Sequence, residues 1–237
     1  MNPYQKLLNR KRKWTPVQTT AGTCKEGAEE AIFRALALRH MELPVGDFIN
    51  DALATDVPKN ARDVLLSNVK DEENHDLALG YIANAYGVDE QAEAEALRLK
   101  SAWEAHPDHT ITKALVAERA IFFVLLPFFR FNGDAGMRTV SADISRDEQI
   151  HVAVNSLAHA ELGYNISPSL DKLRKATINW VMQPLGEHTD KYLNKKFWLE
   201  SSDRLMYEGK APQLAETKAA RMPAFFEHSN VNLPQYA

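Results

Sequence analysis

Apolar residues recur every three to four positions along most of the chain, and strict alternation is almost absent. That is the helical period, so the chain reads as all-α. A first helix is expected over 25–43, ended or kinked by Pro44 and Gly46, with a mixed connection through Asp56. Pro58 suits the first turn of a second helix, whose core face carries Ala61, Val64, Leu65, Val69, Leu79, Ile82 and Tyr86. Gly87 closes it. Residues 89–106 read as a charged amphipathic connector rather than a core element. A third long helix is expected over 108–131 with a kink at Pro127, then a tight turn at Asn132-Gly133-Asp134 and a fourth helix over 135–162. Shorter helices fill 167–207, and the tail from Gly209 is irregular. The organisation expected is a tail over 1–24, a bundle over 25–165, and C-terminal helices and tail over 166–237 of the same domain.

Composition narrows this picture. The 237 residues carry 28 Lys+Arg against 32 Asp+Glu, a net charge of −4, which excludes a generally basic nucleic-acid binder. The basic cluster Arg10, Lys11, Arg12, Lys13 reads as a solvated tail. Cys24 is the single cysteine and can form no internal disulfide, which points to the cytoplasm. The longest apolar run covers residues 120–129 and is broken by Pro127, far short of the ~20 residues of a membrane span, so no transmembrane helix is expected. The N-terminal stretch has charge without an apolar centre, so no secretory signal is expected either. No Gly-rich phosphate loop is present.

Chemistry enters through acids on apolar faces, where an ionised carboxylate costs several kcal/mol unless something pairs it. Glu72 and His75 are in phase with Leu65, Val69, Leu79 and Ile82; Glu118 sits among Leu115, Ile121, Phe122 and Leu125; Glu148 and His151 share a face with Ile144 and Val152. Both histidines belong to Glu-x-x-His, a spacing that projects a carboxylate and an imidazole from one helix face. Two such pairs plus one Glu from each of two other helices make the ligand set of a carboxylate-bridged dinuclear iron or manganese site. Chance alone gives roughly 0.6 such pairs in this composition, so the context carries the weight. Glu118 precedes Glu148 by 30 residues and Glu42 precedes Glu72 by 30, so one arrangement occurs twice. For the first helix, spacing favours Glu42, whereas periodicity favours Glu29 (with Glu30 beside it) on the stripe of Ile32, Phe33 and Leu36. Phe122, Phe123, Phe128 and Phe129 would supply a dry aromatic surround or plain core packing.

The stretch Ile144-Ser145-Arg146-Asp147-Glu148-Gln149-Ile150-His151 resembles the signature of the ribonucleotide reductase small subunit, the radical-generating beta chain. Glu118 with the following Ala120-Ile121-Phe122-Phe123, and the segment from Glu42 to Ile49, are similar to further ligand-bearing segments of that family, and the second similarity favours Glu42. The resemblance covers about 42–162. It implies a ferritin-like four-helix bundle with accessory C-terminal helices, holding two iron ions, manganese with iron, or two manganese at Glu42, Glu72, His75, Glu118, Glu148 and His151. It implies O2 activation to generate an oxidising equivalent for ribonucleotide reduction, a homodimer, and a large reductase subunit as partner. It also implies a relay in which Trp14 bonds to Asp147 and Asp147 braces His75. The family's radical tyrosine corresponds to Leu79 here, with Tyr81 two residues further on, and its tail tyrosine corresponds to Tyr236. The alternative reading is a ferritin-like di-iron oxygenase or oxidase acting directly on a small organic substrate.

Overall fold

Pro44 decides how the first third of the chain is cut into helices. A proline lacks the N–H of the i→i−4 ladder and clashes with the carbonyl four residues back, but it fits a first turn. In the structure, a computed structural model that describes residues 2–212, helix α1 spans Pro3–Leu8 and helix α2 spans Glu29–Ala37. The chain then tightens into a 3₁₀ turn at Leu38–Met41 and restarts as helix α3, Glu42–Thr55, with Pro44 in its first turn. The break therefore lies before Pro44, and the connection expected over 44–56 is a helix. Its buried face of Val45, Phe48, Ile49, Ala52 and Leu53 is apolar enough to carry it through Gly46.

Helix α4 (Arg62–Tyr86) follows a 3₁₀ turn at Lys59–Ala61 and stops at Gly87. Helix α5 (Glu90–Glu104) is capped by Asp89, whose carboxylate accepts from Ala92 N–H at 2.7 Å. It is a core element and not a bare connector. Ala92, Ala96, Leu99 and Trp103 are buried, and Trp103 Nε1 donates to Thr177 Oγ1 at 3.1 Å. Two of those four positions are alanines, too small for their spacing to announce a buried face.

The third expected helix is two helices joined by a π turn: α6 (Thr110–Ala117), π-helical Glu118–Phe122, and α7 (Phe123–Asn132), which contains Pro127. Helix α8 (Ala135–Leu162) is capped by Asp134, which accepts from Met137 N–H at 2.8 Å, and ends on Gly163 at φ +69°. That left-handed cap favours glycine. Helices α9 (Pro168–Met182) and α10 (Lys195–Glu208) complete the order, and no strand occurs among the described residues.

Helix α3 packs on α4 and α6, and α8 packs on α4, α6 and α7, so these five helices close around one interior. Helix α5 covers α2 and α9, while α9 and α10 pack beside the π turn. The fold is an all-α helical bundle of ferritin-like type. Among the described residues no helix is long and apolar enough to cross a membrane. The expected tail beyond residue 212, including Tyr236, lies outside the described residues.

Candidate metal centre

All six residues singled out for metal binding are buried in the interior shared by α3, α4, α6–α7 and α8. They form two groups that share Glu72. In each group one ligand-type atom per residue lies within 4.8 Å of the others: Glu42, Glu72, His75 and Glu148 in one, Glu72, Glu118 and His151 in the second. Glu72 spans them, with Oε2 3.2 Å from His75 Nδ1 and Oε1 3.1 Å from His151 Nδ1. Glu148 Oε1 does the same at 3.3 Å and 3.6 Å. Glu42 Oε2 lies 3.7 Å from His75 Nδ1, and Glu118 Oε1 lies 3.6 Å from His151 Nδ1. The arrangement is thus one outer carboxylate beside each imidazole and two carboxylates between them. Glu29 and Glu30 are exposed at the start of α2, so the glutamate that the first third of the chain brings into the cluster is Glu42.

The far side of each imidazole meets an aspartate from the opposite helix. His75 Nε2 is 3.5 Å from Asp147 Oδ2, and His151 Nε2 is 3.0 Å from Asp71 Oδ2. Asp71 therefore meets His151 where Asp147 meets His75, so α4 and α8 run antiparallel and each sets an aspartate beside the other's histidine, as a hydrogen bond at His151 and as a 3.5 Å charge contact at His75. An acceptor on the outer nitrogen fixes ring orientation and leaves the inner nitrogen turned to the carboxylates. Trp14 Nε1 donates to Asp147 Oδ2 at 2.6 Å, and the Trp14 and His75 rings stack with centroids 6.3 Å apart. Asp71 was not anticipated from the sequence, although Asp71-Glu72-x-x-His75 repeats Asp147-Glu148-x-x-His151 and carried the signal.

The basic run is also different from its expected state. Lys11 pairs with Asp71, and Arg12 Nη1 bonds to Asp143 Oδ1 at 3.0 Å and its Nη2 to the Asp143 carbonyl at 2.6 Å. Only Arg10 and Lys13 of the four are exposed. A buried partner on α4, Asp71, and a half-buried one on α8, Asp143, both invisible to local sequence, draw the other two inward.

Glu118 stands at the start of the π turn, a register slip that re-aims side chains and recurs at functional sites. Asn155 Nδ2 donates to Glu118 Oε2 at 2.5 Å, a second unanticipated contact. Helix α10 holds the turn from outside, since Ser202 Oγ donates to the Ala120 carbonyl at 2.6 Å and Arg119 Nε to the Leu205 carbonyl at 2.7 Å. The aromatic run behaves as core: Phe128 packs edge-on against Trp198 at 5.5 Å. Leu79 is buried.

Electrostatics shows what the cluster lacks. Burial lifts the Glu42 and Glu118 carboxyls well above the usual range and raises Glu148 as well. Burial also opposes charge on Glu72, but the two imidazoles outweigh it and hold that carboxyl below its usual value. His75 is lifted far above the imidazole range, with burial overcome by Asp147, Glu148, Glu42 and Glu72. His151 is lifted to about 10, with burial overcome by Glu148, Asp71 and Glu72. Protons bound to this cluster are what a cation would displace.

Glu42 Oε2, Glu72 Oε1, Glu118 Oε1, both Glu148 oxygens and His151 Nδ1 have no protein hydrogen-bond partner, although all are buried. Polar atoms in that state cost free energy individually. Here they converge, four hard carboxylates with two imidazoles, a donor set that suits iron or manganese. The cluster can hold metal.

No protein-family model and no curated protein sequence matches the chain. Among solved structures it is similar to a crystal structure of a provisionally named class I ribonucleotide reductase from Bacillus halodurans. The TM-score is 0.55 at 15% identity, over 91% of this chain and 90% of that one. At that identity the likeness is one of fold.

Proposed function

We propose that this chain is a dinuclear-metal oxidoreductase of the ribonucleotide reductase small-subunit type. Two iron ions, manganese with iron, or two manganese, held by Glu42, Glu72, His75, Glu118, Glu148 and His151, would supply O2 activation and one-electron oxidising power when bound. The observation that carries the reading is Asp147 Oδ2, which accepts from Trp14 Nε1 at 2.6 Å while lying 3.5 Å from His75 Nε2. A buried aspartate between a half-buried indole and a metal-facing imidazole gives an electron a short polar path from near the surface to the cluster.

In this reading each residue has a physical task. Glu72 and Glu148 lie between the two positions, and Glu42 and Glu118 close the outer sides. Four carboxylates carry the charge of two divalent cations, so the interior is neutral when both are held. Asp147 holds the Trp14 N–H and keeps it a hydrogen-bonded donor, so an electron leaving Trp14 has an adjacent acceptor for its proton. Asp71 fixes His151, and the apolar layer of Leu115, Ile121, Phe122 and Ile144 excludes water. The assembly proposed is a homodimer that works with a large reductase subunit binding the nucleotide.

The test is anaerobic loading with Fe(II), or Mn(II) with Fe(II), followed by O2. Two metal equivalents per chain should be oxidised, and ribonucleotide reduction should appear on adding the large subunit from the same source. Metal uptake without O2 consumption would sink the reading.

Leu79 favours one second reading. It is buried where the family carries its radical tyrosine, so this chain has no side chain there to store an oxidising equivalent. Direct oxidation of a small organic substrate at the same cluster needs no such store. Substrate oxidation by the loaded protein alone, with no nucleotide reduction in the presence of the large subunit, would select it.

A further inference from the structure

The basic run at residues 10–13 has no part in the chemistry above, yet Lys11 is one of the less exposed lysines. Its side chain is 9% exposed and its ammonium contacts Asp71 Oδ2, the oxygen that lies 3.0 Å from His151 Nε2. Three residues later Trp14 Nε1 bonds to Asp147 Oδ2, which faces His75 Nε2. Arg12, between them, is tied to α8 at Asp143 and lies 3.8 Å from Asp147 Oδ1. Upstream, α1 is seated on α4 and α8, with Tyr4 Oη donating to Glu161 at 2.8 Å. Within four consecutive residues, Lys11, Arg12 and Trp14 thus reach the two aspartates, and each aspartate faces a different histidine.

An ammonium is a strongly hydrated point charge that ordinarily keeps its head in water. Withdrawing it to meet a carboxylate already engaged by an imidazole is costly unless that carboxylate needs a fixed counter-charge. Asp71 does, because its other contact is with a ring whose inner nitrogen faces three glutamates. A carboxylate oxygen engaged by both an ammonium and an imidazole is held in place, and the imidazole bonded to it keeps its direction.

We propose that residues 11–14 form a two-legged clasp in which Lys11 is a positioning residue, acting through Asp71 to orient His151 as Trp14 acts through Asp147 on His75. The legs differ in kind. One is ionic, the other a neutral N–H. The clasp rests on the reading that the cluster binds two metal ions and is independent of what those ions then do.

The experiment compares Lys11→Met, Lys11→Arg and Trp14→Phe, with Asp71→Asn as a second probe of the ionic leg. In the metal-free protein, ¹⁵N NMR of the histidine rings should show Lys11→Met and Asp71→Asn moving the His151 signals and leaving those of His75. Trp14→Phe should do the reverse, and Lys11→Arg should restore the wild-type His151 signals. Mn(II) titration followed by electron paramagnetic resonance should show Lys11→Met weakening one of the two ions ~10- to 100-fold, the usual effect of losing an outer contact, with recovery in Lys11→Arg. His151 signals indifferent to Lys11, both histidines moving together, or Lys11→Arg as defective as Lys11→Met would each overturn the clasp. A chain that passes these tests but consumes no O2 keeps the clasp and loses the oxidoreductase reading. The two failures are distinct.

Discussion

Two regions of this molecule bury charge, and they do it in opposite ways. Between α9 and α10, Arg174 is fully buried, and every guanidinium nitrogen is spent inside the protein. Nε and Nη2 bond to Asp171 Oδ1 at 2.9 and 2.7 Å, Nη1 to Ser202 Oγ at 2.6 Å, and Nη2 also to Asp203 Oδ1 at 2.7 Å. Tyr207 Oη completes Asp171 at 2.6 Å. At the centre of the bundle, four glutamates and two histidines are equally buried, and several of their oxygens find no donor. The first region is closed and needs nothing further. The second is open toward its own middle. Burial of charge alone does not distinguish structure from function; the direction and satisfaction of the buried atoms do.

The largest effect that separates them comes from Glu148→Ala. It removes a carboxylate lying between both metal positions, so two-metal binding should weaken by more than about 100-fold, beyond what an outer contact is worth. In the wild type, each ion held at about a hundredfold above its Kd adds about 2.7 kcal/mol, or roughly 5–10 °C in melting temperature for a chain of this size. That rise should vanish in the variant, while the metal-free variant melts at or above the metal-free wild type because like charges have been thinned. Calorimetry with and without Mn(II) reads both quantities. A metal-free variant that melts far lower would mean the cluster is structural, like Arg174.

Arg174→Met tests the closed region with the opposite expectation. Removing the guanidinium breaks its bonds to Asp171, Asp203 and Ser202, and because Asp171 keeps Tyr207 and Lys175 while Asp203 is partly exposed, the cost should be about 1–3 kcal/mol. The loss should be the same with and without metal. Ser202 also holds the π turn through the Ala120 carbonyl, so a metal-dependent component would show that α10 acts on Glu118.

These contrasts also mark what could be read in the sequence. The two longest helices, α4 and α8, were legible to within a few residues, as were the two Glu-x-x-His pairs and Glu118. Glu42 needed its spacing to Glu72, because Pro44 and Gly46 hid the helix it begins. The π turn has no signature in the order of residues; it is a choice of hydrogen-bond register made with α10 in place. Asp71 was visible as a repeat of the Asp147 motif. Lys11 was not, because a lysine in a basic run carries no mark of the carboxylate 60 positions away. The tyrosine at 236 lies outside the described residues.

Trp14→Phe should have a comparable effect and a sharper one. It keeps the aromatic packing and deletes the N–H on Asp147 Oδ2, worth about 1.5–3 kcal/mol of stability as a lost hydrogen bond to a charged group. Metal uptake should stay within the range set by one outer contact. Electron delivery during the O2 reaction, followed by stopped-flow absorbance, should fall far more than binding does. Equal losses in both would make Trp14 a structural member of the open region only.

The smallest effect lies in pH, and its sign differs between the two regions. Burial pushes the Asp171 carboxyl up, but Tyr207, Arg174 and Lys175 outweigh it and leave the group below its ordinary value. The folded state therefore holds this proton less tightly than the unfolded chain, whose aspartates titrate near ~3.9. Its contribution is full above that value and is lost as pH falls through the folded value. His151 is the reverse case. Its imidazole is lifted to about 10, so in metal-free protein its contribution is full below about 6.5 and is lost as pH rises toward 10. Arg174→Met should make the acid limb of the metal-free stability profile shallower, by part of the Asp171 contribution only, and leave the alkaline limb intact. Saturating Mn(II) should flatten the alkaline limb, because the ion takes the place of the proton that His151 would otherwise lose. An alkaline limb unchanged by metal would mean that the cation never reaches His151, and the open region would then have to be read as closed.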